Sequence, residues 1–235
     1  MQDFAGAFGA AWHLLITLDP TLMGIVGLSL GVTGAAVLIA CLIGLPLGAI
    51  LAVSRFPGRP VVNTGVNALM GLPPVVVGLT VYLMLSAAGP LGPLDLLYTP
   101  AAMVIAQTIL VTPIVAALTR QVIEDLDREY RETLIVMRAS RVQIVATLLW
   151  DGRHALVTAA LAGMGRALAE VGAVMIVGGN IAHVTRVMTT AIALETSKGE
   201  LAMALGLGAV LLAISFAVNA LVMALRVDAQ RYAYA

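Results

Sequence analysis

Two ionisable residues, Arg166 and Glu170, stand inside an otherwise apolar run from Ala155 to Val177. A spacing of four puts them one turn apart on one helix face, where they can pair. A charge in hydrocarbon costs about 2.5 to 3.5 kcal/mol on insertion scales, so neither is expected to face lipid alone. Such a pair can lock its helix to a neighbour or a second subunit, relay a proton, or contact an anion. The small residues around it, Gly163, Gly165, Ala167, Ala169 and Gly172, allow close helix approach and favour an interface. Asn63, Asn67, Thr80, Gln107, Thr108 and Thr112 could line a path or hydrogen-bond to adjacent helices. Other chemistry lacks its parts. There is no G-x-x-x-x-G-K-[ST] phosphate loop and no H-E-x-x-H, so neither nucleotide nor metal is expected on this chain. His13, His154 and His183 are scattered, and Cys41 is the single cysteine, read as a packing or lipid-facing residue. No matched nucleophile and base occur on facing segments, so the chain is not expected to be an enzyme.

These residues need spans to hold them. Of 235 residues, 60% are hydrophobic and 11% charged, and the mean hydropathy of +1.01 belongs to an all-α, polytopic membrane protein. The first 20 residues lack a basic n-region and a cleavage site, so they are expected to be retained. The apolar stretch from Phe4 to Leu18 is short of the roughly 20 residues a span needs and reads as an interfacial or partly inserted helix. Asp19-Pro20 then caps a first span, Thr21 to Val53. After a tight basic turn at residues 54–59, a second span runs from Pro60 to about Ala88 and is interrupted at Gly71-Leu72-Pro73-Pro74. Pro73 and Pro74 remove donors and clash with the preceding turn, which predicts a break, either for packing or to shape a pathway.

Thr99-Pro100 repeats the cap-then-proline start for a third span, to about Val122. The fourth runs from about Ala155 to Val177 and ends at Gly178-Gly179-Asn180. Ser197 with Glu200 predicts a capping box before the fifth, about Leu201 to Leu225. The expected organisation is an N-terminal segment (1–20), a five-span domain (21–226) with an intervening loop (123–153), and a tail (227–235). Basic residues fix the expected orientation. Arg55 and Arg59 follow span one, six arginines follow span three and Arg226 and Arg231 follow span five, against Arg186 and Lys198 after span four and none before span one or in the 89–98 loop. The positive-inside rule puts the N-terminus outside and the C-terminus in the cytoplasm.

The longest concentration of charge is one island, Arg120 to Arg153. Glu124, Asp125, Asp127, Glu129 and Glu132 come first, and Arg138, Arg141 and Arg153 follow, an order that complements a helix macrodipole. Apolar residues between Leu134 and Leu149 give a partly amphipathic pattern, broken at Ala139-Ser140. Physics alone leaves a solvated loop and a docking element equally open.

The stretch Glu132-Thr133-Leu134-Ile135-Val136-Met137-Arg138-Ala139-Ser140-Arg141 resembles the cytoplasmic EAA loop of permease subunits of ATP-binding-cassette importers. Glu132 and Ala139-Ser140-Arg141 agree with the family pattern. Thr133 and Leu134 replace its alanines, Arg138 takes its glycine position, and Trp150-Asp151 stands where Leu-Pro is usual. The segment from Arg166 to Asn180 is similar to the R-x-x-x-E-x-G-A…G-N stretch of sulfate, molybdate and tungstate permeases. Gly71-Leu-Pro-Pro, Arg186-Val-Met-Thr-Thr and Leu194-Glu-Thr-Ser-Lys-Gly-Glu resemble the tungstate type most.

The resemblance implies a type I importer permease fold with a cytoplasmic coupling helix, in which Glu132, Thr133, Leu134, Arg138, Ala139, Ser140 and Arg141 contact the ATPase. It implies a homodimer in a bacterial or archaeal inner membrane, two ATPase subunits that carry ATP and Mg, and an extracytoplasmic oxyanion-binding protein. No nucleic-acid partner is expected. Pro73, Pro74, Thr108, Thr112, Arg166, Glu170 and Asn180 are the pathway or interface candidates. Tungstate is the expected substrate, with molybdate or sulfate as the alternative. An autonomous secondary transporter using Arg166 and Glu170 is a further reading, with a non-transporting scaffold behind it.

Overall fold

The computed structural model describes residues 4–233, with side chains from Gly6 to Ala224. Among the described residues ten α-helices run in order: α1 Phe4–Ile16, α2 Pro20–Val53, α3 Arg59–Leu69, α4 Pro74–Leu85, α5 Pro100–Val136, α6 Arg141–Asp151, α7 Arg153–Leu168, α8 Gly172–Gly178, α9 Met188–Lys198 and α10 Leu201–Ala233. No strand occurs among the described residues.

Capping chemistry sets several of these boundaries. Asp19 Oδ1 accepts from the N–H groups of Thr21 (2.9 Å) and Leu22 (3.0 Å) at the start of α2. Thr99 Oγ1 accepts from Ala102 N–H at 3.4 Å and starts α5. At 34 and 37 residues, α2 and α5 extend about 51 and 56 Å. Both exceed a hydrocarbon core of about 30 Å. The acidic first half of the charged island is therefore the continuation of the third span, with no loop between. Helix α1, at 13 residues, is too short to cross.

Among the described residues three helices are long and apolar enough to span, namely α2, α5 and the Leu201–Ala224 part of α10, and the number rises to as many as five when each broken pair, α3 with α4 and α7 with α8, is counted as one span. The break between α3 and α4 is the one that Pro73-Pro74 predicts. Met70, Gly71 and Leu72 close the end of α3 with i-to-i−3 bonds to Asn67, Ala68 and Leu69, and Pro74 opens α4 at its first position. The fourth span differs from expectation. It is not continuous from Ala155 to Val177, because α7 ends at Leu168 and α8 begins at Gly172. The Ser197–Glu200 capping box does not form either. Gly199, at φ +83°, ends α9, with Gly199 N–H on Thr196 O and Glu200 N–H on Glu195 O, a Schellman closure that keeps Ser197 inside the last turn. Its hydroxyl donates to Leu194 O.

The chain forms two compact units. The first contains residues up to Ala36, Pro73–Gln107 and Ala167–Ala217, and the second contains Val37–Leu72, Thr108–Arg166 and the chain from Val218 on. In the first, α4 packs on α8, where Val77, Val81 and Leu85 are buried, as are Ala173, Val174 and Val177. The loop before α5 is tied to α8 by Tyr98 N–H on Val177 O at 3.0 Å. The Tyr98 phenol lies edge-on to Tyr82, centroids 6.4 Å apart. A hydrogen bond to Tyr82, with burial adding, raises its pKa above the ordinary value. In the second unit, α2 meets α5 at Gly48, which lies against Ala116, Thr119 and Arg120.

Close approach of α4 and α8 depends on Gly78, where a Cβ would sit 2.7 Å from the Ala173 Cα. Backbone cannot give way as a flexible side chain does. Gly78→Ala is expected to destabilise the purified protein by about 1 to 3 kcal/mol, read as a lower thermal unfolding midpoint in detergent. Gly27→Ala, on α2 with nothing within 4 Å of the added carbon, should leave the midpoint unchanged or raise it.

Candidate functional site

Helix α5 stops where the charged island turns, and the stop has a defined chemistry. Arg138 adopts φ +55°. Its N–H donates to Ile135 O at 2.9 Å and Ala139 N–H to Leu134 O at 3.0 Å. These are the two bonds of a Schellman motif with Arg138 at the left-handed position. Leu134 and Ala139 supply the apolar contact such a turn carries, packing in a core with Ala49, Ala52, Val53, Ile123 and Leu148. Arginine thus stands at a left-handed position of the kind glycine usually fills. Ser140 then caps α6. Its Oγ accepts from Gln143 N–H at 3.4 Å, and the Gln143 amide oxygen accepts from Ser140 N–H at 2.8 Å.

The turn presents an apolar, charge-edged surface. Val136 is 83% exposed, and Ile135, Met137 and Val142 are exposed with it. Glu132, Thr133, Arg138, Ser140 and Arg141 are exposed around them, whereas Leu134 is buried and Ala139 half-buried. Of the seven sequence-assigned contact residues, Leu134 and Ala139 therefore build the turn and the other five face outward.

Sequence reasoning missed the brace behind this surface. Arg59 donates through Nε to Leu51 O (3.2 Å) and through Nη2 to Ala52 O (2.7 Å) and Glu124 Oε1 (2.6 Å). Arg120 Nη1 holds Glu124 Oε2 at 2.9 Å. One arginine satisfies the last carbonyls of α2 while gripping α5. The Arg120–Glu124 spacing was legible as an i,i+4 pair; the link from Arg59, 65 residues away, was not.

The interrupted fourth span forms a second polar cluster, inside the first unit. Because α7 ends at Leu168 and α8 begins at Gly172, Arg166 lies in the last turn of α7 and Glu170 in the break that follows it. Glu170 lies in the break, 3% exposed, and its Oε1 accepts from Ala173 N–H at 3.1 Å, which satisfies a first-turn donor of α8. The freed carbonyls also find partners. Gln107 Nε2 donates to Ala167 O at 3.3 Å and Thr189 Oγ1 to Glu170 O at 2.8 Å. Ser29 Oγ accepts from Met188 N–H at 2.7 Å and holds the start of α9. Ser29 and Thr189 carried no signal in the sequence beyond being hydroxyls on apolar elements.

The other candidates have local tasks. Pro73 and Pro74 make the α3–α4 break. Thr112 Oγ1 donates to Thr108 O, 2.7 Å away on its own helix. Asn180, at φ +50°, donates to Thr190 O at 3.4 Å in a connection closed by the buried Thr185, whose hydroxyl donates to Gly178 O and accepts from Ile181 N–H. Among the described residues no group of three or more His, Cys, Asp or Glu is placed to hold a metal ion.

A non-glycine residue at the left-handed position costs about 1 kcal/mol. Arg138→Gly is therefore expected to raise stability by about that amount, seen as a higher thermal midpoint. An unchanged or lower midpoint would show that the Arg138 side chain stabilises the folded chain by contacts that offset the strain.

Residues 44–227 match the family described as binding-protein-dependent transport system inner membrane component. The chain is 40% identical over 226 residues to the tungstate uptake system permease protein TupB of Peptoclostridium acidaminophilum, covering 96% of this chain and 99% of that one. It is 40% identical over 205 residues to a probable anion ABC transporter permease protein of Haloferax volcanii, covering 85% and 88%. With the sulfate transport system permease protein CysT of Salmonella typhimurium the identity is 30% over 189 residues, covering 76% and 68%. The chain belongs to the binding-protein-dependent transport system inner membrane component family, as a membrane-spanning ABC permease subunit that is not itself an enzyme.

Proposed function

We propose that this chain is the permease of a tungstate importer, moving the oxyanion by alternating access as ATP is bound and hydrolysed on a partner. What carries the reading is the 40% identity to a tungstate uptake permease over 96% of the chain. Molybdate or sulfate transport is the alternative, and sulfate permeases match at the lower identity of 30%.

The family implies ATPase and binding-protein partners in general. Our finer reading is a homodimer with two ATPase subunits, ATP and Mg residing on those subunits. Each ATPase meets the turn at Glu132–Arg141, whose exposed apolar residues and flanking charges suit a protein groove. An external binding protein delivers the anion to the opposite membrane face. The distribution of arginines supports a cytoplasmic turn and C-terminus and an external N-terminus. By the same reading, residues 21–226 are the transport domain and 123–153 its coupling segment.

The test is to co-express the chain with its ATPase and binding protein in membranes and to measure ATP hydrolysis against tungstate, molybdate and sulfate. Tungstate is expected to stimulate at the lowest concentration. Stimulation by sulfate alone would overturn the substrate, and uptake driven by a proton gradient in vesicles holding only this chain would overturn the importer reading.

Glu132→Lys and Val136→Asp, both at exposed positions, are expected to leave membrane levels unchanged while lowering tungstate-stimulated ATP hydrolysis about tenfold, equivalent to about 1.4 kcal/mol of lost docking energy. Full stimulation in both variants would remove the coupling assignment.

A further inference from the structure

A groove in the second unit lies apart from the residues assigned above to the coupling turn or to the pathway. It is open, about 460 Å³ in volume, and lies between α2 and α7. On α7 its lining residues are Arg153, Leu156, Val157 and Ala160, the i, i+3, i+4, i+7 stripe of one helix face, and α2 contributes Cys41, Leu42, Leu45 and Pro46. The α7 stripe begins at Arg153 and is apolar from there inward. Arg153 is held in place, because its Nη1 donates to Trp150 O at 2.9 Å and its guanidinium lies over the Trp150 ring, 4.9 Å from the centroid. Trp150 is 69% exposed. An exposed tryptophan beside the start of a span belongs at headgroup level. A guanidinium fixed there keeps donors for a phosphate, and the stripe below it has the polarity of an acyl chain.

We propose that this groove binds one anionic phospholipid, its phosphate on Arg153 and an acyl chain along α2 and α7. The positive charge at the mouth and the negative charge of the cytoplasmic leaflet single out this occupant, since basic pockets between spans on that side take acidic headgroups. The proposal rests on the orientation given above. Its readout involves neither ATP nor oxyanion, so it can fail while the transport reading stands, and the reverse.

The chain has two tryptophans, so Trp12→Phe leaves Trp150 as the only one. In this background the full chain is reconstituted in phosphatidylcholine vesicles, and quenching of Trp150 fluorescence is recorded as phosphatidylglycerol or phosphatidylcholine with brominated acyl chains is added. Brominated phosphatidylglycerol is expected to quench at about fivefold lower mole fraction, the factor one basic residue near an acidic surface supplies. Arg153→Gln should abolish the preference and Arg153→Lys should keep most of it, with unchanged helical circular dichroism in both. Equal quenching by the two lipids, or a preference unaltered in Arg153→Gln, would overturn the proposal. So would efficient copper-phenanthroline oxidation of the single Cys41 to a disulfide between two chains, which would give the groove to a second copy.

Discussion

A helix that ends within hydrocarbon leaves backbone N–H and C=O groups that water cannot reach, and such groups must be satisfied by protein. The break in the fourth span obeys this at each group that can be followed. Ala167 O receives the Gln107 amide and the N–H of Glu170, Glu170 O receives the Thr189 hydroxyl, and Ala173 N–H donates to the Glu170 carboxylate. The partners come from α5 and α9, so the break also sets where those helices lie within the first unit. Removing any one of them leaves a buried polar group without its bond, a cost of about 1 to 3 kcal/mol each.

The same requirement governs the far end of α2, with a different donor. The terminal carbonyls of Leu51 and Ala52 go to Arg59, a residue eight and seven positions further on that also grips Glu124. Pairs this exposed add little as isolated ion pairs. The value of this one is geometric, since a single planar group ties a helix end to a neighbouring helix. Behind it, Ala49, Ala52, Val53, Ile123, Leu134 and Leu148 form the core on which the α5–α6 turn rests. The turn at Glu132–Arg141 is therefore a braced element within that unit.

Much of this was legible in the sequence, and the misses share a cause. Asp19-Pro20, Thr99-Pro100 and Pro73-Pro74 act through neighbours a few residues away, so their caps and break could be read directly. The five apolar segments and the charged island were equally local signals. The end of α7 was not readable, because Ala169-Glu170-Val171 contains no proline and its glycine, Gly172, already belongs to α8; the break is held by Gln107 and Thr189 through tertiary contacts. Ser197–Glu200 failed because a glycine between them imposed a stronger stop. At Arg138 the sequence departs from the residue that a left-handed turn prefers, and the surrounding bonds override the preference.

The placement of Glu170 bears on which transport chemistry the chain can support. A carboxylate that relays protons must turn between a donor and an acceptor during each cycle. Here Oε1 is pinned by Ala173 N–H and the residue's own carbonyl by Thr189, so reorientation would uncap α8 and release the break that organises the first unit. That favours a structural role for the Glu170 carboxylate at the break between α7 and α8.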